Sequence, residues 1–275
     1  RNCGILEPTM NRLKALVKPS GSAKRRKSAK STGCAACGRT AVQFLFSHHN
    51  DWTVRRCLNC SLVQVCPLPP KEEVAALYHE DMEHFEPYID QLDVHRQYFE
   101  KQLKDIEHKL QHPTANIHLL DIGCAMGVLL TLAEERGWDA RGIDISGDAV
   151  TYCRSKGLKA VAGTIHGLKR QMKNGMFDVV TAYEVIEHER NPLEMVRQMY
   201  RVMKKGGLAV ITTPNHDNIW RRIMGKHWFG YKHPEHLFFF NPESLAYIFR
   251  KAGFSKIDIH RDTPRPFPLS FAFRR

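Results

Sequence analysis

The sequence predicts an α/β fold: a doubly wound, mostly parallel sheet of seven strands, preceded by a small β-hairpin module. Three observations carry this prediction. Short apolar runs alternate with helical patterns from residue 117 onwards, glycines space the turn after the first run, and that run and the next contain acidic residues at or near their ends. Such alternation favours parallel strands whose ligands bind at their carboxyl ends.

Apolar periodicity, helix caps and breakers assign the elements in chain order. Two runs, 42–46 and 52–56, predict a hairpin, and the prolines within 67–70 predict an extended linker. Helices are expected at 71–78 and over a longer stretch ending near residue 112. The core follows as strand 117–122, helix 127–136, strand 139–144, helix 147–156, strand 158–162, strand 176–183, helix 192–204, strand 207–213, helix 243–252, strand 254–260 and a last strand within 269–273.

The strand that contains Asp121 runs into the turn Gly123–Gly127, and the next strand ends at Asp144. Glycines at a strand-to-helix turn let a ligand approach the backbone, and an acid ending the following strand can bind a ribose diol. The dinucleotide pattern Gly-x-Gly-x-x-Gly is not matched. An acid before the first glycine would repel a pyrophosphate, so the ligand should be positive or neutral there.

Together with the segment 177–188, these motifs resemble the class I S-adenosylmethionine-dependent methyltransferases over about residues 85–262. The resemblance implies a Rossmann-like fold, with Asp121 near the ammonium of the cofactor, Asp144 on its ribose hydroxyls and Ile145 over its adenine. Another kind of nucleotide-binding Rossmann-like fold is the alternative. The cofactor-binding residues expected from the resemblance are Asp121, Gly123, Cys124, Ala125, Gly127, Asp144, Ile145, Tyr183 and Glu184.

Two cysteine pairs precede this region, Cys34-x-x-Cys37 and Cys57-x-x-Cys60, with nineteen residues between them. This is the spacing of a four-cysteine zinc ribbon. A closed shell of four thiolates leaves no position for substrate, so the expected Zn²⁺ is structural. Disulfides fit poorly with a cytosolic enzyme, and His48 and His49 are alternative ligands.

Two histidines are candidates for a general base, which methyl transfer to oxygen or nitrogen requires. His188 lies in a motif common among small-molecule methyltransferases, where the alternative role is to cap the next helix. The segment 231–240 resembles a stretch of zinc-ribbon-bearing sugar methyltransferases in which a Glu-His pair carries the base chemistry. Glu235 and His236 match that pair, and Glu235 is expected to raise the pKa of the histidine. The inserted Pro234 leaves the role of Tyr231 in doubt, and packing in an aromatic cluster is the alternative for His236.

The net charge of +12 is concentrated at the start of the chain. Residues 1–30 hold nine lysines and arginines against one acid, which leaves only +4 for the rest. A composition of this kind predicts a solvated, disordered tail. The expected organisation is a tail over 1–32, a zinc ribbon over 33–68, a helical linker or lid over 69–112, and a methyltransferase domain over 113–275 with a substrate loop inserted at 214–240.

The sequence therefore predicts a cytoplasmic methyltransferase that uses S-adenosylmethionine, most simply for O-methylation of a sugar, glycolipid or natural product. The alternative is an RNA methyltransferase that grips nucleic acid through the ribbon and the basic tail. The weak charge of the folded region argues against it. No apolar run approaches the ~18 residues of a membrane span.

Overall fold

The computed structural model describes residues 33–48, 52–76, 91–110, 116–168 and 172–260, and every structural statement below concerns these ranges. The chain separates into two units, 1–31 and 32–275, and all described residues lie in the second. The predicted basic tail lies outside the described residues. Among the helices described, none is both long and apolar enough to cross a membrane.

Strands and helices alternate through the core, as predicted. In chain order the elements are β1 (Val42–His48), β2 (Trp52–Cys57), β3 (Val63–Cys66), α1 (Lys71–Ala76), α2 (Leu92–Lys109), β4 (His118–Ile122), α3 (Val128–Glu134), β5 (Asp139–Asp144), α4 (Gly147–Ser155), β6 (Ala160–Ala162), β7 (Phe177–Tyr183), α5 (Pro192–Val202), β8 (Met203–Thr212), α6 (Ile219–Met224), β9 (Phe238–Phe239) and α7 (Pro242–Ala252).

The core sheet has five strands in the order β6-β5-β4-β7-β8, and every neighbouring pair is parallel. Helices flank a sheet whose central strands are buried almost throughout, which is why β4 and β7 read as continuous apolar runs. The predicted doubly wound α/β class is therefore confirmed. All five carboxyl ends meet at one edge, which we call the carboxyl edge.

The helix starts predicted from asparagine-proline pairs are also confirmed. The side chain of Asn191 accepts a hydrogen bond from the amide of Glu194 at the start of α5. At the start of α7, Asn241 and Ser244 form a reciprocal capping box. Both caps satisfy amide groups that the first helical turn leaves without partners.

Two strand predictions need correction. Residues 203–204, expected to end a helix, instead open β8, because Met203 pairs with Phe177 before a register shift. Residues 254–260, expected to be a strand, form no ladder and are mostly exposed. A strand needs a neighbour, and the last predicted strand, within 269–273, lies outside the described residues. The described sheet therefore has five strands rather than seven.

A second, antiparallel sheet has the order β1-β2-β3-β9. Its hairpin β1–β2 was predicted, but its fourth strand, β9, comes from the insertion 214–240 almost two hundred residues later. Val63 pairs with Phe239 across the β3–β9 ladder. A separate apolar cluster fastens this contact, formed by Trp52, Val54, Val63, Val65, Trp228 and Phe239. The expected ribbon and the expected substrate loop therefore share one sheet.

Candidate cofactor and acceptor site

The turn after β4 depends on two glycines. Gly123 and Gly127 have φ angles of 74° and 72°, in the left-handed region that favours glycine. A Cβ at Gly123 would clash with the side chain of Val185, and one at Gly127 would lie 2.6 Å from Leu158. Ala125, with φ of 44°, is strained in the same turn. The conformation of this turn and the side chains packed against it therefore require glycine at both positions.

Asp144 ends β5 and is held against this turn. Its two carboxylate oxygens accept hydrogen bonds from the amides of Ala125, at 2.8 Å, and Ser146, at 2.9 Å. Each oxygen retains a second lone pair that a ribose hydroxyl could use. Burial raises the pKa of Asp144, and the two amides oppose that rise. The next residue, Ile145, is 44 % exposed, which leaves an apolar face beside the carboxylate.

The other predicted cofactor residues surround the same edge. Asp121 is buried and accepts a 2.6 Å hydrogen bond from the hydroxyl of Thr181 on β7. Cys124 is buried against Gly142. Tyr183 packs edge-on against Phe99 of α2, with ring centroids 5.2 Å apart. Glu184 follows it, exposed and with φ of 57°, a second strained position.

A cavity of about 460 Å³ lies elsewhere, at the opposite edge of the sheet. Asn116 and His118 at the start of β4 line it, with Asp139 at the start of β5. Ligands of parallel sheets bind outside the carboxyl ends of the strands. This cavity therefore lies at the edge where ligands of such sheets do not bind, whereas the glycine turn lies at the carboxyl edge.

The two candidate bases, His188 and His236, lie together at the carboxyl edge. Their ring centroids are 4.7 Å apart in an edge-to-face contact. The Nδ1 of His188 donates to the carbonyl oxygen of Glu235 at 3.0 Å, and the Nδ1 of His236 donates to that of Gly230 at 2.8 Å. These bonds fix the tautomer, so that Nε2 is the acceptor nitrogen of each neutral ring.

Both rings are neutral at physiological pH. Burial lowers the pKa of His188 to about 3, with a further lowering from the neighbouring His236. Burial also lowers the pKa of His236 to about 4. The expectation that Glu235 raises the pKa of His236 is therefore wrong. Glu235 takes part through its main-chain carbonyl, which accepts the hydrogen bond from His188.

Sequence reasoning missed a third member of this group, Glu187. Its side chain is fully buried, and while Oε2 accepts a 3.0 Å hydrogen bond from Thr213, Oε1 has no hydrogen-bond partner. Burial, and the nearby charge of Glu184, raise its pKa well above the ordinary value. The only signal in the sequence for such a role was that Glu187 directly precedes His188.

Glu187, His188 and His236 each offer one ligand atom, and these atoms lie within 4.8 Å of one another. We call them the acceptor triad. One carboxylate oxygen and two imidazole acceptor nitrogens converge there. A group that donates hydrogen bonds, such as a hydroxyl, or a divalent cation would satisfy them.

Tyr231 does not join the acceptor triad. Its hydroxyl bonds to the Nε2 of His216 at 2.8 Å, and its ring packs against Phe239 of β9 and Phe46 of β1. His216 is fully buried, and burial lowers its pKa to about 4. The aromatic residues of the insertion therefore fasten it to the antiparallel sheet.

The four predicted metal ligands, Cys34, Cys37, Cys57 and Cys60, also lie together. Their sulfur atoms are within 4.8 Å of one another, and the pairs Cys34–Cys60 and Cys37–Cys57 are 3.5 Å apart. All four are free thiols. Tetrahedral coordination with Zn–S bonds of about 2.3 Å would place sulfurs about 3.8 Å apart, which these distances approach. The side chain of His48 is not described, and His49 lies outside the described residues.

Comparison with known proteins identifies the domain. A family described as methyltransferase domain matches residues 94–259. The ubiquinone biosynthesis O-methyltransferase of Methylococcus capsulatus is 36 % identical over 101 residues, which cover 35 % of this chain and 43 % of that protein. The enzyme of the same name from Burkholderia thailandensis is 26 % identical over 165 residues, 56 % of this chain and 71 % of that protein. The chain thus spans less than half the length of the first of these relatives.

Among solved structures, a SAM-dependent methyltransferase from Archaeoglobus fulgidus matches with a TM-score of 0.50 and 23 % identity. The match covers 62 % of this chain and 75 % of that one. At this identity the likeness shows the fold alone.

Proposed function

We propose that this chain, which belongs to the methyltransferase domain family, transfers a methyl group from S-adenosylmethionine to an oxygen atom of a small molecule. The observation that carries the proposal is the acceptor triad at the carboxyl edge, where the glycine turn of the cofactor site also lies. The relatives named O-methyltransferase support oxygen as the acceptor atom. A sugar, a glycolipid or a natural product with hydroxyl groups would suit the triad.

The proposed cofactor site follows the edge from β4 to β7. The turn from Gly123 to Gly127, with Cys124 and Ala125, would take the methionine end against its backbone. Asp144 would accept hydrogen bonds from the ribose hydroxyls, a geometry suited to a carboxylate already oriented by two amides. Ile145 would cover the adenine. The remaining expected residues, Asp121, Tyr183 and Glu184, would border the amino-acid moiety.

When bound, S-adenosylmethionine supplies an electrophilic methyl group. This chain's own residues would hold the acceptor in line with it and remove the hydroxyl proton. The Nε2 of His236 would take that proton, because its Nδ1 is occupied by the carbonyl of Gly230. The Oε1 of Glu187, which has no hydrogen-bond partner, would accept a hydrogen bond from a second donor group of the acceptor molecule. His188, fixed by the carbonyl of Glu235, would orient His236 edge-on.

The cysteine cluster would hold a structural Zn²⁺. Its sulfur spacing supports this assignment, and four thiolates would close the coordination shell. The ion would fix the end of β2 and the start of β3, the strand that pairs with β9 of the insertion.

Reduced cysteines at this spacing also favour a cytoplasmic location. For the domains we propose a tail over 1–32, a zinc ribbon over 33–68, a helical linker or lid over 69–112 and a methyltransferase domain over 113–275. The ribbon and the insertion 214–240 would act as one body.

A panel of acceptors tests the proposal. The purified chain would be incubated with S-adenosylmethionine and with hydroxylated aromatics, glycosides, primary amines and transfer RNA, while S-adenosylhomocysteine release is measured. We expect turnover with hydroxyl acceptors and none with amines. Turnover with transfer RNA alone would overturn the small-molecule assignment. No binding of S-adenosylhomocysteine by the folded, zinc-loaded chain would overturn the cofactor assignment itself.

A further inference from the structure

Helix α6 presents its apolar side chains to solvent. Eleven large hydrophobic residues are exposed in the described chain, and five of them lie within the eleven residues 219–229. Their exposed fractions are 61 % for Ile219, 59 % for Trp220, 69 % for Ile223, 37 % for Met224 and 52 % for Phe229. Scattered exposed hydrophobics are ordinary on a protein surface, but a contiguous group marks an interaction site.

The helix is turned the opposite way to a normal surface helix. At 100° per residue, Ile219, Trp220, Ile223 and Met224 occupy one arc of about 140°. Arg221 lies outside this arc, beside Tyr231 of the packed insertion, and its Nε is buried. An arginine therefore faces the protein, and the apolar arc faces away from it. A helix that served only to cover the core would have the reverse arrangement.

We propose that this outward face of α6, together with Phe229, docks on an anionic lipid surface. The charge of the segment carries the choice of partner. Between Asp217 and Glu235 the chain has four cations, Arg221, Arg222, Lys226 and Lys232, and no acid. Arg222 and Lys226 are exposed beside the apolar arc. Aromatic and aliphatic side chains flanked by arginine and lysine suit the boundary between lipid headgroups and acyl chains.

A second copy of the chain is a poorer occupant of this face. A twofold contact sets the same patch against itself. Arg222 and Lys226 of one copy would then meet cations of the other, without an acid in the segment to offset them. The phosphates of an anionic membrane supply the opposite charge.

Docking would also orient the molecule. α6 begins seven residues after β8 ends, on the carboxyl edge of the parallel sheet. The same edge carries the glycine turn and the acceptor triad. Lipid contact at α6 would therefore turn the proposed acceptor site toward the bilayer. The docking claim itself does not depend on the proposed reaction, because it is measured without turnover.

Tryptophan emission gives a direct test. The chain has four tryptophans, and Trp52, Trp138 and Trp228 are buried, so Trp220 is the only exposed one. The full chain would be mixed with vesicles of phosphatidylcholine, with or without about one third phosphatidylglycerol. We expect a blue shift and co-sedimentation only with the anionic vesicles. Trp220→Phe should abolish the shift and retain most of the binding.

Substitutions distinguish vesicle binding through α6 from vesicle binding through other basic segments, including the basic N-terminal segment. Ile223→Glu combined with Trp220→Glu should lower the bound fraction about tenfold or more, because it removes the apolar contact. Phe44→Glu, at a residue 57 % exposed on β1, is the matched control and should bind as the unmodified chain does. Circular dichroism would verify that each variant folds.

Three outcomes would overturn the proposal: no binding to anionic vesicles, binding that the α6 double substitution leaves unchanged, and an equal loss in Phe44→Glu. A concentration-dependent dimer that the double substitution dissociates, without vesicle binding, would assign the face to a second copy instead.

Discussion

The main-chain amide of Leu237 donates a 2.9 Å hydrogen bond to the carbonyl oxygen of Glu187. The next amide, of Phe238, donates to the same carbonyl at 3.2 Å. These two bonds join the insertion to the segment that follows β7. They bring His236, one residue before Leu237, next to His188, one residue after Glu187. The proposed chemistry depends on this junction between two distant parts of the chain.

Replacing His236 by asparagine tests the proposed base. Asparagine keeps an N–H group near Gly230 but has no nitrogen in place of Nε2. We expect kcat to fall by about 10² to 10⁴, the usual contribution of general acid–base catalysis. Affinity for S-adenosylhomocysteine, measured by calorimetry, should stay within about threefold. Near-normal turnover would exclude His236 as the base.

Glu187→Gln should separate stability from activity. The pKa of Glu187 is raised in the folded chain, so its carboxyl destabilises the fold increasingly as the pH rises above the ordinary value of 4.5. The glutamine variant should therefore melt at a higher temperature than the unmodified chain at pH 8. This gain should shrink as the pH falls through 4.5, below which the carboxyl is protonated in both the folded and unfolded states.

Turnover of the same variant should also fall. The NH₂ group of glutamine places a hydrogen-bond donor beside two acceptor nitrogens, where Glu187 offers an oxygen. Thr213→Val is the matched variant, because it removes the hydrogen bond to Oε2 and keeps the carboxylate. A Glu187→Gln protein that is less stable than the unmodified chain at pH 8 would contradict the assignment of a destabilising carboxylate.

Asp144→Asn tests the ribose contact. Loss of a charge-assisted pair of hydrogen bonds should weaken S-adenosylhomocysteine binding by about 10- to 100-fold. Asp148, an exposed acid in the first turn of α4, provides the control. Asp148→Asn should bind the ligand as the unmodified chain does. Equal losses in both variants would mean that these acids act only on the helix terminus.

Metal analysis tests the cysteine cluster. The purified chain should contain about one zinc ion, and Cys37→Ser should contain much less, because a structural site needs all four thiolates. Cys66→Ala, at a cysteine outside the cluster, should keep its zinc. Since β3 follows Cys60 and pairs with β9, zinc loss should also lower turnover. A metal-free chain of normal stability would refute the structural ion.

The core was predictable because its signals are local. β4 and β7 are largely apolar runs, and asparagine caps and glycine turns mark where helices begin. The pairing of β9 with β3 was not predictable. A strand of two residues, Phe238–Phe239, leaves no periodic pattern, and its partner lies far away in the sequence. Residues 254–260 failed for the complementary reason, since strand propensity without a neighbouring strand builds no ladder.

The candidate site was predicted in composition rather than in contacts. His188 and His236 were identified by their motifs, but their proximity depends on the bonds from the insertion to Glu187. The wrong pKa direction for His236 has the same origin. Glu235 precedes it in sequence, yet burial decides the pKa of the ring. Glu187 was missed because an oxygen left without a partner is a property of the folded surroundings.

The shared sheet constrains how this chain could be cut or recombined. Because β9 completes the sheet begun by β1, β2 and β3, a truncated chain starting at residue 69 would leave Trp228 and Phe239 without their covering strands. Such a fragment should aggregate rather than fold as a smaller enzyme. For the same reason, swapping the N-terminal module between related enzymes would work only if the insertion travelled with it. The two segments are distant in the sequence but form a single structural unit.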